Sequence, residues 1–151
     1  MFGGAPAANV TGSEELLAEV VVGSNRGPAG SPSLRFAHDD ALSVAEALRQ
    51  VGQFAPADVR VLFDPAPDAV LEALDSALAV AGGGESMLLF YYSGHADAQA
   101  LYSDGRALAI EQVRKRLEDP AASVRVGIVD SCSGGRAKVH CSSSIWAAAW
   151  W

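Results

Sequence analysis

The sequence predicts an α/β fold: a mostly parallel sheet with helices on both faces. Three observations lead there. Short apolar runs, several of them β-branched, alternate with stretches of helical period in the order strand, helix, strand, helix, strand, helix, strand. A crossover between parallel strands needs a helix and is right-handed, so this alternation lays helices on the two faces of one sheet. The chain has 151 residues, half of them apolar and 19% charged, which is enough for one buried core and too little for two.

Residues 1–13 are small, rich in Gly and Ala and without period, which predicts a disordered N-terminus ahead of a domain spanning 14–135. Residues 19–22 form a short run ending at Gly23, read as the first strand, and a loop rich in Gly, Pro and Ser follows. Asp39 and Asp40 stand where an N-cap belongs. Val44, Leu48 and Val51 then recur at helical spacing, and Gly52 occupies the position of a left-handed residue closing the helix. Val59, Val61 and Phe63 alternate with Arg60 and Leu62 as a second strand, and the turn at 65–68 leads into a helix carrying Leu71, Leu74 and Leu78, stopped by three glycines at 82–84.

Residues 87–92 are the most apolar run, bounded by Gly84 and by Ser93-Gly94, as expected of a central strand covered on both faces. Ile110, Val113 and Leu117 mark a third helix that ends before Pro120, and residues 124–129 form a fourth strand ending in Asp130.

Charge and composition exclude several function classes. A formal net charge of −7 leaves no basic field for a phosphate backbone, so nucleic-acid binding is disfavoured. The run at 87–92 is far shorter than the roughly 20 residues that cross a bilayer, and no charged-then-apolar leader opens the chain, so a cytoplasmic protein without a membrane span is expected. Cys132 and Cys141 are too few for a disulfide framework or a zinc site, no metal or cofactor is expected, and each cysteine is judged on its own. His38 beside Asp39 and Asp40 reads as a solvated helix start rather than a metal cluster. The loop at 23–30 lacks the Lys-Ser/Thr ending of a phosphate-binding loop.

In a parallel sheet, chemistry collects at the carboxyl ends of the strands. The third strand runs into Tyr92-Ser93-Gly94-His95 and the fourth into Asp130-Ser131-Cys132-Ser133-Gly134-Gly135. A thiol is a usable nucleophile only as thiolate, and an imidazole on a neighbouring strand end stabilises that form, so His95 and Cys132 make a candidate dyad. Gly-containing turns beside them allow backbone N–H groups to approach an oxyanion closely.

Over residues 19–135 these motifs resemble those of the caspase and metacaspase clan of cysteine peptidases. Leu88 to His95 is similar to the strand and turn that bear the family histidine, Val126 to Gly134 to those that bear the cysteine, and Leu34 to Leu48 to the helix that opens the domain. The resemblance implies a caspase-like αβα sandwich and endopeptidase activity on a peptide or protein substrate. His95 would be the general base, Cys132 the nucleophile, and the N–H groups of Ala96 and Cys132 the oxyanion hole. Ala96 stands where the family commonly has glycine, and its methyl narrows the approach. Asp40 and Asp130 match metacaspase positions that line the pocket for the residue preceding the cut, which implies Arg or Lys there; Asp40 reads equally well as a helix cap.

The resemblance is expected to end at Gly135. Residues 136–151 show no succession of strand and helix and close on Trp146, Trp150 and Trp151, so the domain is expected to be incomplete on its C-terminal side, as in a truncated or frame-shifted product, with the fourth strand partly uncovered. The alternative is a short natural variant whose Trp-rich end covers that edge or docks on a protein partner. Two further functions compete with a peptidase: an inactive scaffold of the same fold acting in protein–protein interaction, and a nucleotide-binding α/β domain.

Overall fold

A computed structural model describes residues 16–52, 54–81, 85–135 and 138–149, with side chains over 17–52, 54–81 and 85–131. The expected disordered segment 1–13 and the glycines at 82–84 lie outside the described residues. The elements are β1 (Leu16–Gly23), α1 (Ala37–Val51), β2 (Val59–Phe63), α2 (Pro67–Ala81), β3 (Ser86–Gly94), β4 (Ala100–Ser103), β5 (Arg106–Ala109), α3 (Ile110–Leu117), β6 (Val124–Gly135) and β7 (Lys138–Ala149).

One sheet runs in the order β2-β1-β3-β6-β7, parallel from β2 through β6 and antiparallel at β7. The most apolar run is therefore the middle strand. Alternation along each strand divides the core. Ala18, Val20, Val22, Leu88, Phe90 and Tyr92 face α2 and α3, where they meet Val70, Leu74, Leu78, Val113 and Leu117. Val21, Leu89 and Tyr91 face the other way, onto Ala41 and Ala45 of α1. The αβα layering of the sequence reading is thus present. Full burial of each large member of these clusters contributes about 1.5–3 kcal/mol. No helix among the described residues is long and apolar enough to cross a membrane.

Four local expectations need correction. First, α1 starts two residues before Asp39, with Phe36 at its N-cap and no side-chain cap from its own start. The orphan Ala37 N–H is satisfied from the loop after β1, by Asn25 Oδ1 at 3.0 Å, so Asp39 and Asp40 fall in the first turn, where they oppose the positive end of the helix. Second, Gly52 has φ −85°, so the helix does not close through a left-handed residue.

Third, the stretch before α3 holds a hairpin that the strand–helix alternation missed. β4 and β5 pair antiparallel around Asp104 (φ 52°) and Gly105 (φ 73°), and two successive positive φ values are the turn that an Asp-Gly pair favours. Fourth, residues 130–135 are strand rather than turn, and the following segment does contain a strand: β7 pairs along β6 from Val124↔Ala149 to Gly135↔Lys138, so β6 is covered rather than an edge.

Candidate active site

The carboxyl ends of β1, β2, β3 and β6 converge at one rim of the sheet, as parallel pairing requires. In the β3–β6 register Ser93 is opposite Asp130 and Gly94 opposite Ser131, so His95 follows directly after the end of β3 and Cys132 directly after the last residue of β6 paired with it. The side chain of Cys132 lies outside the described residues. Its backbone lies within β6, in register with Cys141 of β7.

His95 is only 5% exposed. The loop between β1 and α1 folds over it. Pro32 O lies 3.0 Å from Nε2 of the imidazole, and a carbonyl can only accept, so Nε2 carries the proton and Nδ1 is the nitrogen able to take one. Gly27 packs against the same ring. A Cβ there would sit 2.7 Å from Nε2, so only glycine allows the loop this close. The Tyr92 hydroxyl is 2.7 Å from the backbone carbonyl oxygens of both His95 and Tyr102. Sequence reasoning missed Gly27, Pro32 and Tyr92, and a backbone carbonyl leaves no mark in a residue pattern.

Ala96 forms an isolated antiparallel bridge with Leu101. Its hydrogen bonds are those from Asp97 N–H to Ala100 O and from Tyr102 N–H to His95 O, so the bridge itself does not use the Ala96 N–H. Asp97 further accepts from the Tyr102 hydroxyl at 2.7 Å and from the N–H groups of Gln99 and Ala100, which together hold its carboxyl below the usual carboxylate range. The segment after His95 is therefore fixed by its own local bonds.

On the α1 side of the sheet, a cavity of about 290 Å³ opens at the same rim. It is lined by Leu34, Arg35, Phe36, Ala37, Asp40, Ser93, Gly94 and Asp130. Asp40 and Asp130, far apart in sequence, thus share one cavity. The Ser93 hydroxyl donates to Asp40 Oδ2 at 3.1 Å. The field of the pair reaches Tyr91, whose hydroxyl is pushed up to about 12 by burial first and then by Asp130 and Asp40. The cavity thus combines two acids, Asp40 and Asp130, and the cation Arg35 with the apolar Leu34, Phe36 and Ala37.

His38, expected to be solvated, instead places Nε2 2.7 Å from Asp64 Oδ2, with its ring against Phe63. Among the described residues no group of three or more metal-ligating side chains occurs.

The model of one protein family, Peptidase C14 with its caspase domain, matches residues 19–144. The match passes Gly135, where the sequence reading had ended it, and takes in part of β7. No curated protein matches the chain.

Proposed function

The chain belongs to the Peptidase C14 caspase family, and on that premise we propose that it is a cysteine endopeptidase that cuts after Arg or Lys. Cys132 is the nucleophile and His95 the general base. The observation that carries the specificity is the cavity holding Asp40 and Asp130 beside the strand ends. The substrate's cationic side chain enters it, its head meets the two carboxylates, and its stem lies along Phe36 and Leu34.

The chemistry follows from the tautomer. With Nε2–H donated to Pro32 O, Nδ1 of His95 takes the Cys132 thiol proton, and the thiolate attacks the scissile carbonyl. The N–H groups of Ala96 and Cys132 receive the oxyanion. Collapse of the tetrahedral intermediate breaks the C–N bond, and the imidazolium returns its proton to the leaving amine. A water, deprotonated by the same nitrogen, then hydrolyses the thioester and frees the thiol.

The test compares peptides differing only in the residue before the cut (Arg, Lys, Asp or Ala), with the full chain and with Cys132→Ala. Cleavage after Arg and Lys that vanishes in the alanine variant is the expected result. Equal cleavage after Asp would remove the basic specificity, and no Cys132-dependent cleavage of any peptide would remove the peptidase in favour of an inactive scaffold. Alkylation gives a second check: Cys132 should react faster at neutral pH than a free model thiol.

A further inference from the structure

Asp64 follows β2 directly, at the same rim as the candidate site but on its far side, and it adopts a left-handed conformation (φ 43°), which Asp takes more readily than most non-glycine residues. Its N–H donates to Gly23 O at 2.9 Å. Its carboxylate is a convergence point. Oδ1 accepts from the Ser24 hydroxyl and from the Arg26 N–H, each at 3.1 Å, and Oδ2 faces His38 Nε2 at 2.7 Å. Burial opposes ionisation, yet the Arg26 N–H, the Ser24 hydroxyl and His38 together hold this carboxyl below the usual carboxylate range.

What Asp64 grips is the start of the loop that covers His95. Ser24 and Arg26 come immediately before Gly27, which lies on the imidazole, and the same loop supplies the Pro32 carbonyl. The β4–β5 turn clasps the segment from the other side. The Asp104 N–H donates to Ser24 Oγ at 3.2 Å, Arg26 Nη1 reaches Asp104 Oδ1 at 2.8 Å, and the Gly105 N–H donates to Arg26 O at 3.3 Å. The exposed Arg26–Asp104 ion pair is worth little by itself. Of the three bonds to the Asp64 carboxylate, those from Ser24 and the Arg26 N–H are charge-assisted and tie down the start of the loop, while the third joins the same carboxylate to His38 of α1.

We infer that Asp64 is a positioning residue for His95: by anchoring Ser24 and Arg26 it seats Gly27 and Pro32 on the imidazole and so sets which ring nitrogen is protonated. The inference rests on the peptidase reading for its kinetic consequence, but not for its effect on the ring.

Two readouts keep the readings apart. The ¹⁵N–¹H spectrum of the His95 ring, recorded on the full chain carrying Cys132→Ala, should show one tautomer protonated at Nε2. Adding Asp64→Ala should convert it to a mixture, while Asp64→Asn, whose Oδ1 still accepts from Ser24 and Arg26, should restore the single tautomer. With Cys132 intact, Asp64→Ala should lower kcat on an Arg peptide by about 10²-fold, the scale of a displaced catalytic group, with little change in KM. Asp64→Asn should recover most of that loss.

If Asp64→Ala fails to fold, Ser24→Ala removes one of the three donors and should move both readouts the same way by less. An unchanged His95 tautomer in every folded variant overturns the inference, whatever happens to melting temperature or activity. A wild-type chain that cleaves nothing, together with the predicted tautomer change, removes the peptidase reading and leaves the positioning role standing.

Discussion

Glu19 is the most testable electrostatic feature of the fold. It sits in β1 between Val59 of β2 and Leu89 of β3, 1% exposed, and neither carboxylate oxygen has a hydrogen-bond partner among the described residues. Burial raises its pKa from 4.5 to about 7, against the pull of Arg49 on α1, whose Nε is also buried without a partner. The sign follows from proton counting. Between pH 4.5 and 7 the folded chain keeps a proton that the unfolded chain has lost, so stability falls as pH rises through that window. A shift of this size corresponds to about 3 kcal/mol, a large part of the roughly 5–15 kcal/mol that holds a small domain together. Glu19→Gln keeps the shape and removes the titration. Urea unfolding of both proteins at pH 5, 6, 7 and 8, followed by far-UV circular dichroism, should show them close at pH 5 and the variant ahead by about 3 kcal/mol at pH 8. Asp64 and Asp97 are held low, so their contribution is present above the ordinary carboxylate pKa of 3.8 and is lost only as pH falls below it, outside the window. A stability difference that stays constant from pH 5 to 8 would refute the argument.

Gly27→Ala should lower kcat on a basic peptide by about 10²-fold, because its methyl displaces the His95 ring, while Gly30→Ala in the same loop, where a Cβ meets nothing within 4 Å, should leave kcat within about threefold although its φ of 86° costs some stability. Asp130→Asn and Asp40→Asn should each cut kcat/KM for Arg peptides about tenfold to hundredfold, the worth of one charge-assisted bond, and should not affect peptides with Ala before the cut; equal losses on both substrates would mean a structural role. Tyr92→Phe leaves the His95 and Tyr102 carbonyls without their hydroxyl donor and should cost about 1–2 kcal/mol in urea unfolding, with no change if that hydroxyl is replaceable.

The parts of this fold legible in the sequence are those encoded by local period. The run at 87–92 could be placed at the centre because a strand buried on both faces has no polar face to show, and β3 does lie between β1 and β6. The elements that escaped depend on pairing across the chain. The cap on α1 comes from Asn25, twelve positions earlier, so the nearby aspartates looked like the cap and were not. Half of β7 between Lys138 and Ala149 is Ala and Ser, residues with weak strand preference that interrupt any period-2 alternation of Val139, Ile145 and Trp146, so its pairing with β6 does not show in its own pattern. The β4–β5 hairpin did carry a readable signal in Asp104-Gly105, but each strand has only four residues and was absorbed into the approach to α3.

The same distinction explains why the two acids of the cavity were legible and the support of the histidine was not. Asp40 and Asp130 are side chains at fixed offsets from recognisable motifs. They share the lining of one cavity with Arg35, the Ser93 hydroxyl donates to Asp40, and the field of both acids adds to burial in raising Tyr91. His95 is held in the opposite way, by a proline carbonyl, a glycine with no side chain and a carboxylate acting through the loop's backbone, so its environment is a property of the folded loop rather than of any residue pattern.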